Sequence, residues 1–130
     1  MVARLNGAEA MHELSVAQSI LEIIHQNVTQ DDLNLVRTVS LKVGDQAGIV
    51  CDSLEFSFHA LTVGTPLAGA ALSVERIPYT IHCNSCHKTL ESPYGLGICP
   101  DCSGTATTVM SGTELQVSTI ELDEPSTESP

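Results

Sequence analysis

The sequence predicts an α+β fold built from two helices and three strands, with a cysteine-rich segment between the second and third strands. Three observations support this prediction. Two segments carry apolar residues at helical spacing. Three others alternate between apolar and polar residues, which is typical of strands with one buried face. Four of the five cysteines form two Cys-x-x-Cys pairs, a spacing typical of a metal site.

The first helix is predicted over residues 15–30, where Val16, Ile20, Ile23, Ile24 and Val28 recur at helical spacing. Ser15 followed by Gln18 fits a capping box, which would place residues 11–13 just outside the helix start. The second helix is predicted from about residue 52 to residue 63, with Asp52 as its N-cap.

Strands are predicted over residues 36–43, 70–77 and 115–122, where apolar and polar side chains alternate. Residues 78–110 differ in composition from the rest of the chain, because they are rich in Cys, Gly, Ser, Thr and Pro. They can bury little apolar surface on their own. We expect them to form a separate metal-binding module. The acidic tail, residues 123–130, is predicted to be disordered.

Composition narrows the possible functions. The chain of 130 residues has 5 Lys+Arg against 16 Asp+Glu, a formal net charge of -11. Such a chain is repelled by phosphate backbones and anionic lipid, so we expect neither nucleic-acid nor membrane partners. No apolar run approaches the ~18 residues of a membrane span, and residues 1–10 do not resemble a signal peptide. We therefore expect a cytoplasmic protein.

The cysteine pairs are the strongest chemical signal. Cys83 and Cys86 form one pair, and Cys99 and Cys102 form the other. Two such turns can close a tetrahedron of four thiolates, the geometry of a structural Zn²⁺ site, which has no open position for catalysis. Redox dithiols, an iron–sulfur site and disulfides are the alternatives. Cys51 lies outside the pairs and is expected to be a helix-start or core thiol.

Histidine supplies the remaining candidate ligands. His82 and His87 flank the first pair, and we expect exposed side chains there, with His82 the better placed for a secondary metal contact. Met11, His12 and Glu13 precede the first helix. If Met11 were the first residue, its α-amine, the amide and imidazole of His12, and a further atom of Glu13 could form a square plane. That ligand set suits Ni²⁺ or Cu²⁺.

Taken together, these segments resemble the HypA/HybF family of hydrogenase maturation proteins, which are nickel metallochaperones. The resemblance covers most of residues 11–122. It is carried by residues 11–24 (MHELSVAQSILEII), 39–49 (VSLKVGDQAGI), 54–78 (LEFSFHALTVGTPLAGAALSVERIP), 83–86 (CNSC), 99–102 (CPDC) and 111–122 (SGTELQVSTIEL).

The resemblance implies two helices packed on a small mixed β-sheet, with a zinc-ribbon-like module inserted before the last strand. Residues 11–77 with 111–122 would form the nickel-binding domain, and residues 78–110 the zinc-binding module. It implies Ni²⁺ carried by His12, with Met11 and Glu13 beside it, and Zn²⁺ held by the four paired cysteines. It also implies a GTPase partner, HypB, delivery to the large subunit of [NiFe]-hydrogenase, and no enzyme activity.

Family members begin at the Met that matches Met11. Residues 1–10 are therefore expected to be an extension outside the physiological chain. If the chain starts at Met1, the α-amine is far along the chain from His12, and nickel would need other ligands.

Two other functions are compatible with parts of the sequence. A zinc-ribbon adaptor would bind protein or nucleic acid, but residues 78–110 offer only Lys88 as a cation and only Tyr79 and Tyr94 for base stacking. A thiol hydrolase would pair Cys51 with His59, but no third catalytic group is evident.

Overall fold

The computed structural model describes residues 3–4, 13–92 and 95–124. Two helices, α1 and α2, and seven strands, β1 to β7, account for the regular structure of these residues. A 3₁₀ turn, Gln30–Leu35, follows the first helix. The helices are α1 (Glu13–Asn27) and α2 (Cys51–Thr62), and the strands are β1 (Ala3–Arg4), β2 (Val36–Gly44), β3 (Ala71–Ile77), β4 (Thr80–Cys83), β5 (Thr89–Glu91), β6 (Thr107–Ser111) and β7 (Leu115–Leu122).

The larger sheet has four strands in the order β1-β7-β2-β3 and is mixed, as predicted. β2 runs parallel to β3 and antiparallel to β7, so that Leu41 lies between Val74 and Val117. The three predicted strands are confirmed to within one residue at each end. The two-residue β1, antiparallel to β7, was not predicted.

Both helices bury their apolar faces in one hydrophobic cluster with the sheet. Ile20, Ile24 and Leu54 are fully buried there against Val39, Leu41, Val43 and Val117. Aliphatic side chains make up nearly all of this core, and Phe58 is its one aromatic member among the described residues. Burial of this apolar surface is the main source of stability of the domain.

The helix starts differ from the prediction. Helix α1 begins at Glu13, so Ser15 lies inside the helix and is not its N-cap. It ends at Asn27, three residues before the predicted end. The side-chain amide of Asn27 donates to the carbonyl of Ile23 there. Helix α2 has Val50 rather than Asp52 as its N-cap, with no side-chain cap of its own.

Residues 78–110 contribute a second, three-stranded sheet in the order β5-β4-β6. Ile81 of its central strand is fully buried, and this sheet shares no residue with the main cluster. A backbone contact joins the segments that follow β2 and β6: Gln46 N–H donates to the Gly112 carbonyl at 2.8 Å. Next to it, Gly44 N–H donates to the Glu114 carbonyl at 2.7 Å where β2 pairs with β7. Within the described ranges, no helix is both long and apolar enough to span a bilayer.

Candidate metal centre

The four paired cysteines converge at one point. Their Sγ atoms all lie within 4.8 Å of one another. The Sγ atoms of Cys83 and Cys102 are 3.6 Å apart, and those of Cys86 and Cys99 are 3.7 Å apart. A tetrahedron with metal–sulfur bonds of about 2.3 Å has sulfur–sulfur edges of about 3.8 Å, whereas a disulfide needs about 2.05 Å. All the cysteines are free thiols. The arrangement therefore fits one metal ion and not two disulfides.

The two Cys-x-x-Cys turns have the same backbone hydrogen bonds. In the first, His87 N–H donates to the Cys83 carbonyl at 2.8 Å. In the second, Ser103 N–H donates to the Cys99 carbonyl at 2.9 Å. The residue after each pair has a left-handed backbone, with φ of 62° at His87 and 63° at Ser103. This conformation closes each turn, so both sulfurs of a pair face the same point.

Each turn also donates backbone N–H groups to its first sulfur. Cys86 N–H donates to the Cys83 Sγ at 3.5 Å, and Asp101 N–H donates to the Cys99 Sγ at 3.4 Å. The Cys86 N–H is the main reason that the pKa of Cys83 is lowered to about 6. Burial raises the pKa of Cys86 to about 12. The cluster thus pairs a Cys83 thiol that ionises readily with a Cys86 thiol that needs a cation to hold its negative charge.

An ion pair on the surface joins the two turns. Lys88 Nζ lies 2.5 Å from the Asp101 carboxylate, and this contact raises the pKa of Lys88. Both side chains are more than half exposed, so the pair stabilises the fold weakly. Lys88 is the only Lys or Arg of residues 78–110, and this pairing leaves the described part of the module without a free lysine or arginine.

The Met-His-Glu segment is only partly described. Met11 and His12 lie outside the described residues. Glu13 is the first residue of α1, not a residue just before it. Its Oε2 accepts the N–H of Val50 at 3.0 Å, so the carboxylate caps the N-terminal end of α2. The contact holds the start of α1 beside the loop that precedes α2.

That loop also approaches the cysteine module. A Cβ atom at Gly95 would lie 2.6 Å from the Gln46 side-chain amide, so this side chain lies directly against the Gly95 backbone. Residues 45–50 therefore contact the module at Gln46 and the start of α1 at Val50. Sequence reasoning missed this arrangement, because neither contact has a local sequence signal.

The other candidate residues do not join the metal cluster. Cys51 is the first residue of α2, and its Sγ accepts a hydrogen bond from Arg76 Nη1 at 3.1 Å. Arg76 also pairs with Asp45 at 3.2 Å. His82 Nδ1 is hydrogen-bonded to Thr89 Oγ1 at 3.0 Å. Among the described residues, no hydrogen bond links Cys51 to His59, so the structure offers no support for the hydrolase reading.

Comparison with known proteins identifies the family. A family model described as hydrogenase/urease nickel incorporation, metallochaperone, hypA matches residues 11–122. The hydrogenase maturation factor HypA of Chloroflexus aurantiacus is 37% identical over 113 residues, which cover 85% of this chain and 98% of that protein. The corresponding factor of Geobacter metallireducens is 38% identical over 113 residues, covering 87% of this chain and all of that protein.

Two solved structures share the fold. The solution structure of the Ni metallochaperone HypA from Helicobacter pylori has a TM-score of 0.59 at 17% identity, covering 86% of this chain and 97% of that one. A second solution structure of a HypA protein has a TM-score of 0.63 at 16% identity, covering 88% and 98%. The family model and the curated relatives show that the chain belongs to the HypA family of nickel-incorporation metallochaperones, which are maturation factors and not catalytic enzymes.

Proposed function

We propose that this protein binds Ni²⁺ at the Met-His-Glu segment and helps to deliver it to [NiFe]-hydrogenase, while Zn²⁺ holds the four-cysteine cluster together. The observation that carries the proposal is the family match over residues 11–122, whose first three positions are Met11, His12 and Glu13. The GTPase HypB and the hydrogenase large subunit are the partners expected in this process, and the cytoplasm is the expected compartment.

The nickel ligands follow from the chemistry of the segment. His12 supplies its imidazole and its main-chain nitrogen, and Glu13 contributes through its backbone. The backbone rather than the side chain of Glu13 is assigned to nickel because its carboxylate already accepts the N–H of Val50 at the start of α2. In a chain that begins at Met11, the α-amine completes a square-planar nitrogen set. Binding displaces protons from these nitrogens, so affinity falls as the pH is lowered.

The zinc assignment is supported by the sulfur geometry. Two Sγ–Sγ distances of 3.6 and 3.7 Å match a Zn²⁺ tetrathiolate, and four sulfurs leave no open coordination position. The ion therefore has a structural role. Elemental analysis of the purified protein should give one zinc per chain, and this zinc should be lost when Cys83 is replaced by Ser.

Nickel titration by calorimetry tests the nickel site on three proteins: residues 1–130, residues 11–130, and residues 11–130 with His12→Ala. We expect one Ni²⁺ per chain and tighter binding when the chain begins at Met11. His12→Ala should weaken binding by more than the 10- to 100-fold typical of losing a residue that only supports a ligand. His25→Ala, an exposed histidine of α1, is the matched control and should change nothing. Equal affinity in all three proteins would overturn the site.

A cellular experiment tests the delivery step. A strain that lacks this protein should regain hydrogenase activity with the wild-type chain or with the His25→Ala variant, but not with His12→Ala. Added nickel salt should restore activity without the protein, because a carrier matters only while the metal is scarce. Full rescue by His12→Ala would contradict the proposed role of this residue.

A further inference from the structure

Strand β3 forms the outer edge of the main sheet. One side of it pairs with β2, and among the described residues no strand pairs with the other side. Such an edge presents backbone N–H and C=O groups that another extended chain can bind. Proline and charged side chains are the usual features that block strand addition. The first four residues of β3, residues 71–74, include neither.

A groove of about 200 Å³ lies beside this edge. Its walls are the α2 residues Glu55, Phe58 and His59 on one side and residues 70–72 on the other. A chain added next to β3 would continue the sheet in this direction. Because successive side chains of a strand point to opposite faces, every second side chain of the added chain would enter the groove under α2.

The charge around the groove selects the occupant. Glu55 is exposed on its wall, whereas Glu75 lies on the opposite face of β3 from Leu72 and Val74. The three ion pairs of the described residues use Asp45, Asp101 and Asp123, and neither glutamate. Two copies of this chain would each carry a net charge of -11, which disfavours self-pairing and favours a basic partner.

We propose that the β3 edge and this groove bind an extended segment of a partner protein by strand addition, with a lysine or arginine of that segment placed beside Glu55. Main-chain hydrogen bonds to β3 would provide affinity, and the groove would provide specificity. The apolar stem of the basic side chain would pack on Ala70 and Leu72, which face the helices, while its charge reaches Glu55. None of the residues that line the groove belongs to the metal cluster or to the Met-His-Glu segment.

Synthetic peptides test this proposal. The probe is acetyl-Val-Thr-Lys-Thr-Val-Thr-amide, whose valines and lysine lie on one face of a strand, and the matched probe has glutamate in place of lysine. Titration of the isotope-labelled full chain, followed by amide chemical shifts, should show saturable changes at residues 71–75. The lysine peptide should bind at least about tenfold more tightly than the glutamate peptide.

Charge reversal on the protein supplies the decisive variant. Glu55→Lys should reverse the preference between the two peptides, whereas Glu22→Lys, an exposed position on α1, should leave it unchanged. The proposal fails if neither peptide shifts the β3 amides, if both bind equally, or if Glu55→Lys does not alter the preference. It also fails if the peptide-free chain dimerises through β3.

Discussion

Glu13 and Val50, 37 residues apart in the chain, join the N-terminal ends of the two helices. The Glu13 carboxylate accepts the backbone N–H of Val50, which is the N-cap residue of α2 and has no cap from its own neighbours. A carboxylate at this place also lies favourably toward the positive ends of both helix dipoles. One side chain thus stabilises the start of two helices.

Replacing Glu13 by Ala should lower the free energy of unfolding by about 1 kcal/mol, because the N-terminal end of α2 loses its acceptor. Glu13→Gln should cost less, since an amide oxygen can still accept from Val50. Chemical denaturation followed by circular dichroism measures both effects. Glu22→Ala, on the exposed face of the same helix, should stay within about 0.5 kcal/mol of the wild type. A Glu13→Ala protein as stable as that control would show that the hydrogen bond contributes nothing.

Features with a local sequence signal were predictable, and features that depend on contacts between distant residues were not. The Ser15 and Gln18 pattern has the spacing of a capping box, yet α1 already includes Glu13, whose carboxylate contacts Val50. The strands were predictable, since buried and half-buried residues alternate over residues 39–43 of β2 and 115–118 of β7. The parallel pairing of β2 with β3 depends on tertiary packing and had no local signal. The cysteine cluster was predictable because two tight turns carry all four sulfurs.

Gly44 is expected to be indispensable for the fold. A Cβ atom at this position would lie 2.1 Å from the carbonyl carbon and oxygen of Gly112, which no rotation of a side chain can relieve. Gly112 is itself fixed at φ 107°, with Tyr79 against it. Gly44→Ala should therefore destabilise the protein by at least about 3 kcal/mol, measured by urea unfolding.

Gly69→Ala is the matched control for Gly44, because nothing lies within 4 Å of a Cβ atom at Gly69. That variant should be neutral or more stable by up to about 1 kcal/mol, since alanine restricts the unfolded chain. Similar stabilities for the two variants would mean that the sheets do not meet at Gly44 as described.

Ser103 closes the second cysteine turn in a left-handed conformation that costs a residue with a Cβ atom about 1–2 kcal/mol. Glycine adopts it freely but loses more entropy on folding, so Ser103→Gly should gain about 0.5–1 kcal/mol. Thermal unfolding of the metal-loaded protein measures this gain. Ser85→Gly, at a position of the first turn without a left-handed backbone, should be destabilising instead. If both changes destabilise the protein, φ at Ser103 is not the source of strain.

Removal of the metal should unfold the cysteine module and leave the helices folded. The main hydrophobic cluster draws on residues 16–74 and on β7, and it includes no residue of the smaller sheet. Without a cation, four thiols lie close together with little apolar surface to hold them, since Ile81 is the one large aliphatic residue fully buried among the described residues of the module.

A strong chelator should therefore abolish the dispersed amide signals of β4, β5 and β6 while the helical circular dichroism persists. Cys83→Ser should reproduce this state, and Cys51→Ser should not, because its hydroxyl can still accept from Arg76. Loss of the helices together with the module would show instead that both sheets fold as one cooperative unit through the Gly44–Gly112 junction.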